Sequence, residues 1–143
     1  MVASRQTGNQ DGFVVELPNR ISAVEEGRLA LLAYLGRFDI DAMVINRIEV
    51  ILEEVVSNVV RHGEGADFLR IRANCEGSVI RLTIEDNGTP FDPFAAPEPD
   101  SFTTVSEARL GGQGIPLVRR LSRSVHYERV GAVNHTTAII AAY

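Results

Sequence analysis

Residues 69–93 read LRIRANCEGSVIRLTIEDNGTPFDP, and the fold depends on how that stretch divides. Residues 69–75 and 79–86 each alternate apolar and polar side chains, the period-2 pattern of a strand with one covered face. Glu76-Gly77-Ser78 between them is hairpin-turn chemistry, which makes the two runs antiparallel neighbours. The second run ends on Asp86, and Asn87-Gly88 then turns the chain sharply.

Two helices are expected upstream. From Ile21 to about Phe38 the residues Val24, Leu29, Leu32 and Leu35 recur at helical spacing, and Ser22 with Glu25 three residues on offers a capping box. Asp39 or Asp41 can cap a second helix that runs to about His62 and stops at Gly63 and Gly65. Ahead of both, residues 13–17 form a short apolar strand closed by Pro18. Residues 1–12, polar and glycine-containing, read as a flexible lead-in.

Downstream, residues 89–110 hold four of the six prolines and show no period, so they form a long loop. Loops of that length in compact domains are functional or disordered. Gly111-Gly112-Gln113-Gly114 opens a helix through about Leu121, and residues 124–130 and 135–143 pair as strands around Gly131. The order β-α-α-β-β-loop-α-β-β is not a doubly wound alternation. It predicts an α+β fold over residues 13–143: a two-layer sandwich with a mixed, mostly antiparallel sheet and helices on one face.

Composition narrows the functions. A chain of 143 residues with 45% hydrophobic content is the size of one soluble domain. A net charge of −5 weighs against a nucleic-acid partner. All 14 basic residues are Arg and none is Lys, which excludes a Walker A loop and a eukaryotic-type kinase, each needing a phosphate-contacting Lys. Cys75, the single cysteine, rules out an internal disulfide and a cysteine zinc site, and its strand position reads as a small core residue. No apolar stretch approaches 18 residues and no secretion signal opens the chain, so no membrane partner and a cytoplasmic location are expected.

The second helix carries a polar row. Val44, Ile48, Ile51, Val55 and Val59 share one sector and face the core. Glu54 and Asn58, four apart, stack on adjacent turns at its margin, and His62 continues the row. Unpaired polar groups at such a margin cost about 1–3 kcal/mol each, so they need partners. Loops and water can satisfy them. Alternatively the row faces a wet cleft, where an amide oxygen can ligate Mg²⁺ and a carboxylate can accept a proton. For His62, close to the helix end, capping or packing competes with a place in the cleft.

Two glycine segments fit the second alternative. Asp86 ends an apolar strand, where its carboxylate can accept from an exocyclic amine, and Gly88 lets a flat ring approach the backbone. Gly112-Gln113-Gly114 stands before a helix, whose free N–H groups and positive dipole end form an anion site without Lys. Alone, either segment is ordinary turn chemistry.

Together these residues resemble the nucleotide-binding boxes of the GHKL (Bergerat-fold) superfamily of ATPases and kinases. The resemblance covers about residues 13–142. It is carried by Glu54-Val55-Val56-Ser57-Asn58 followed by His62, by Asp86-Asn87-Gly88-Thr89-Pro90-Phe91-Asp92-Pro93, and by Gly111-Gly112-Gln113-Gly114-Ile115 with Leu117-Val118. Within the superfamily the chain looks most like the anti-sigma-factor serine/threonine kinases.

That resemblance implies ATP and Mg²⁺ as cofactors and assigns roles. Asn58 would ligate the metal, and Glu54 would be general base toward a Ser or Thr hydroxyl of a partner protein. Asp86 would bind the adenine amino group with Gly88 beside the base, and His62 belongs to the same nucleotide-contacting set. Thr137 would stand near the adenine, with Thr136 a one-residue alternative. The backbone of Gly112 and Gly114, with Gln113, would hold the phosphates under a lid of about residues 92–110, from which Arg109 would reach a phosphate. Implied partners are a STAS-type anti-anti-sigma protein, a sigma factor or other target, and a second copy of the chain. The alternative is a nucleotide-dependent protein-binding switch with little or no phosphotransfer. Two features depart from the kinase pattern: Arg119-Arg120-Leu121-Ser122-Arg123 is basic where those kinases continue with an acidic segment, and Pro116 is early in its helix.

Overall fold

The computed structural model describes residues 5–9, 12–95 and 114–142. Among these residues six strands and three helices follow in the order β1 (Arg5–Asn9), β2 (Gly12–Pro18), α1 (Ala23–Leu35), α2 (Ala42–His62), β3 (Phe68–Glu76), β4 (Val79–Asp86), α3 (Gly114–Leu121), β5 (Ser124–Val130) and β6 (Val133–Ala141). The strands form one sheet in the order β1-β2-β3-β4-β6-β5. The fold is the expected α+β sandwich.

Two expectations about its edges change. Residues 5–9, read from sequence as part of a flexible lead-in, form β1 and pair antiparallel with β2 from Arg5 opposite Glu16 to Asn9 opposite Gly12. An edge strand needs only backbone pairing, so it gives no apolar alternation to read. The sheet is also antiparallel at every described pairing rather than mixed. After β4 the chain passes through α3 and sets β5 one place further out. The β5–β6 hairpin then returns β6 antiparallel into the gap.

Alternation builds the core. Phe13, Val15 and Leu17 of β2, Leu69, Ile71 and Ala73 of β3, Ile80, Leu82 and Ile84 of β4, and Ala138 and Ile140 of β6 are buried under the helices. They meet Leu31 and Leu35 of α1 and the Val44, Ile48, Ile51, Leu52, Val55, Val56 and Val59 stripe of α2. Each fully buried aliphatic side chain contributes about 1.5–3 kcal/mol. Cys75 lies half-buried against this core.

Caps fix the ends of α2. The Asp41 side chain accepts from the Met43 N–H at 2.8 Å, and the Gly63 N–H returns to the Val59 carbonyl at 2.6 Å. On α1 the predicted capping box does not form, because Ser22 makes no side-chain cap bond and Glu25 pairs instead with Arg28 at 2.7 Å.

The opposite face of the sheet is polar. Glu85 of β4, 4% exposed, accepts from Arg70 at 2.7 Å and from Arg72 at 2.5 Å, with Glu16 on the far side of Arg70 at 2.8 Å. A covered apolar face backed by a polar one is the usual arrangement of a one-sided antiparallel sheet.

Candidate functional site

The C-terminal end of α2, the end of β4 and the start of β6 converge on one cleft. Its walls are Val55, Asn58, Val59 and His62 from α2, Asp86 from β4, Thr89, Phe91 and Pro93 from the following turn, and Asn134 and Thr136 from β6. The helical period turns Asn58 and His62 to the same side. Antiparallel register places Asn134 directly opposite Asp86.

Asp86 is 3% exposed. Its Oδ2 accepts from the Gly88 N–H at 3.0 Å and from Asn134 Nδ2 at 3.1 Å. Oδ1 takes no hydrogen bond among the described residues, so it remains an acceptor for a ligand. The turn is fixed from outside as well. Asn87 Oδ1 accepts from the N–H groups of Asp67 and Phe68, and Thr89 donates to the Glu64 carbonyl through both its N–H and its hydroxyl.

Gly88 is required by close approach. A Cβ there would stand 2.9 Å from the Gly63 carbonyl and 3.0 Å from Asp86 Oδ2. Two glycine backbones thus meet beside the carboxylate. Beside it the His62 and Phe91 rings stack, 4.5 Å apart and 14° from parallel. Asn58 is half-buried and forms no hydrogen bond among the described residues, so its amide oxygen is available to a hard cation. No group of three or more His, Cys, Asp or Glu gathers among the described residues. A cation at Asn58 therefore depends on ligands brought by a bound molecule such as a polyphosphate.

One turn before Asn58, Glu54 lies half-buried against the first residue of α3, Gly114. Burial, and then the Glu53 carboxylate, push the Glu54 pKa up, while Arg61 pulls it down. A carboxylate raised in this way is a stronger proton acceptor than one in open water. Pro116 is buried in the first turn of α3, where its missing N–H costs little. Arg119 of α3 donates to the Phe94 carbonyl at 2.7 Å with its guanidinium over the Phe94 ring, tying residue 94 to the helix.

The histidine kinase-like ATPase domain matches this chain over residues 17–140. The chain belongs to that family. This histidine kinase-like ATPase domain is 30% identical over 90 residues to the serine/threonine-protein kinase BtrW of Bordetella bronchiseptica, covering 59% of this chain and 62% of that protein. It is 25% identical over 122 residues to the serine-protein kinase RsbW of Listeria innocua, covering 80% of this chain and 78% of the relative. Among solved structures, the blue-light activated histidine kinase of Erythrobacter litoralis superposes with a TM-score of 0.52 at 14% identity, covering 99% of this chain and 75% of that one, a likeness of fold.

Within this ATPase-like domain the sequence-predicted residues separate into three groups. Asn58, His62 and Asp86 line the cleft, with Gly88 under Asp86 and Glu54 beside Gly114. Thr137 does not face the cleft. It sits on the open face of the sheet, its hydroxyl 3.0 Å from that of Thr83, and the alternative Thr136 is the threonine in the cleft wall. Arg109, Gly112 and Gln113, with most of the predicted lid, lie outside the described residues.

Sequence reasoning missed Asn134, Arg129, Tyr127 and Phe91. Asn134 had a signal: it opens the inward file Asn134, Thr136, Ala138, Ile140, a polar residue at the head of a buried row. Tyr127 and Arg129 sit on a strand whose alternation alone does not say which side is functional.

Proposed function

We propose that this chain is an ATP- and Mg²⁺-dependent serine/threonine protein kinase of the anti-sigma-factor type. It phosphorylates a STAS-type antagonist and sequesters a sigma factor or another target, working as a homodimer. The observation that carries this reading is the convergence of Asn58 and Asp86 on one cleft, with Glu54 one turn away on the same helix. Kinase names among the relatives support it.

In this reading Asp86 Oδ1 accepts from the adenine amino group, and Thr136 adjoins it. Asn58 holds Mg²⁺, which when bound supplies charge neutralisation to the phosphates. The N–H groups leading into α3, with Gln113 and the backbone of Gly112 and Gly114, hold the phosphates. Arg109 adds charge from the 92–110 lid, and Glu54 takes the proton from the attacking hydroxyl. Catalysis is then mainly positioning and electrostatics. Among the described residues no helix is long and apolar enough to cross a membrane.

The test is incubation of the full chain with Mg²⁺, ATP labelled in its γ-phosphate, and STAS-domain proteins. Label on a partner Ser or Thr that disappears with Glu54→Gln supports the kinase. Tight ATP binding with no transfer to any antagonist favours a nucleotide-dependent switch without phosphotransfer. A chain with no Mg²⁺-dependent affinity for adenosine nucleotides overturns both.

A further inference from the structure

Asn134 is 2% exposed and its amide is fully engaged. Nδ2 donates to Asp86 Oδ2 at 3.1 Å, to the Thr89 carbonyl at 3.0 Å and more weakly to the Gly88 carbonyl at 3.4 Å. Oδ1 accepts from Arg129 Nη1 at 3.1 Å and from the Tyr127 hydroxyl. Arg129 Nη1 also donates to the Gly88 carbonyl at 2.7 Å.

The neighbours decide which way this amide faces. A carboxylate and two carbonyls only accept, and a guanidinium only donates, so the reversed amide would face like against like on both sides. Tyr127 and Arg129 therefore orient Asn134, and Asn134 orients Asp86. Both hydrogen bonds that Asp86 receives from the described residues end on Oδ2. Tied twice through one oxygen, the carboxyl group is hindered from swivelling, and Oδ1, unbonded among the described residues, is left for a ligand.

We infer that Asn134 is a positioning residue for nucleobase selection, holding Asp86 so that Oδ1 accepts from a 6-amino purine and rejects a 6-oxo purine. The inference rests on the nucleotide-binding function proposed above. A 6-oxo base sets its own lone pairs against those of the carboxylate, and both groups lose water without gaining a partner. Without Asn134 the carboxyl can turn and take up water, and discrimination falls. A purely structural role would weaken both nucleotides alike, so the ratio of affinities separates the two roles.

The experiment measures dissociation constants for ATP and for inosine triphosphate by titration calorimetry on the full chain with Mg²⁺. It compares the natural protein, Asn134→Ala and Tyr127→Phe, with circular dichroism melts as the check on folding. The natural chain is expected to prefer ATP by about 100-fold, the cost of one unsatisfied buried acceptor. Asn134→Ala cuts that ratio about tenfold, chiefly by weakening ATP. Tyr127→Phe removes one hydroxyl donor and little volume, so it reads the same effect, about threefold, even if Asn134→Ala does not fold. Selectivity that survives in Tyr127→Phe, and in Asn134→Ala where it folds, overturns the inference alone. A natural chain that binds neither nucleotide overturns the proposed function together with it.

Discussion

Gly114 and Glu54 approach so closely that a Cβ built on Gly114 would stand 1.8 Å from Glu54 Oε2. The start of α3 and the polar row of α2 thus form one surface, and the carboxylate has its place only because the residue facing it lacks a side chain. Gly114→Ala must displace Glu54. Single-turnover transfer from ATP is expected to fall about 100-fold, the cost of roughly an ångström of misplacement. Calorimetric Tm should move little, since only the flexible end of the Glu54 side chain has to shift.

Glu54 also makes a prediction in pH. Burial and then Glu53 hold its pKa above the ordinary glutamate value of 4.5 in the folded chain, against the opposing pull of Arg61. The folded state therefore binds the proton more tightly than the unfolded one. That contribution to stability is fully present below 4.5 and is lost as pH rises through the raised value. Glu54→Gln, which carries no charge to bury, should melt about 2 °C higher at pH 7 than the natural chain. The gain should vanish as pH falls toward 4.5. Transfer activity should drop about 100-fold or more, and the natural chain's rate should rise with pH through the same window.

Asn58→Ala tests the cation. With Mg²⁺ present, ATP affinity should fall about tenfold, or 1.4 kcal/mol. The natural chain should lose affinity when EDTA is added, and the variant should respond much less. Equal losses on chelation in both proteins would remove Asn58 from the metal site.

Ile71 tests the frame beneath the cleft. It is fully buried on β3, and a Cβ on Gly27 of α1 would come within 2.4 Å of its Cδ1, so helix and sheet meet there at close range. Ile71→Ala should destabilise the fold by about 2–5 kcal/mol in urea denaturation, because helix and sheet can collapse only partly into the cavity.

Much of this site could be read in the sequence, for a definite reason. Glu54, Asn58 and His62 lie on a long helix, where spacing alone fixes the face they share. Asp86 is marked by an abrupt end to strand alternation. The failures follow from the same geometry. In a strand an offset of one residue inverts the face, so Thr137 and Thr136 were indistinguishable until the register of β6 against β4 placed Asn134 opposite Asp86. Ser22 and Glu25 have the spacing of a capping box, but Arg28 takes the glutamate. Tyr127 and Arg129 reach Asn134 across one hairpin, but the link from Asn134 to Asp86 spans 48 positions, which no local pattern encodes.

Glu85 and Asp86 are adjacent carboxylates on opposite sides of β4, one among arginines and the other in the cleft. Were β4 to zip up one position out of step with β3, Glu85 would swing inward and Asp86 would take the arginines, while Ile80, Leu82 and Ile84 turned to water. The buried row Ile80, Leu82 and Ile84 therefore sets the alignment, and Arg70 and Arg72 fasten Glu85 within it. Core row and ion pairs together hold the alignment that delivers Asp86 to the interior, so part of the accuracy of the site is secured on the opposite face of the sheet.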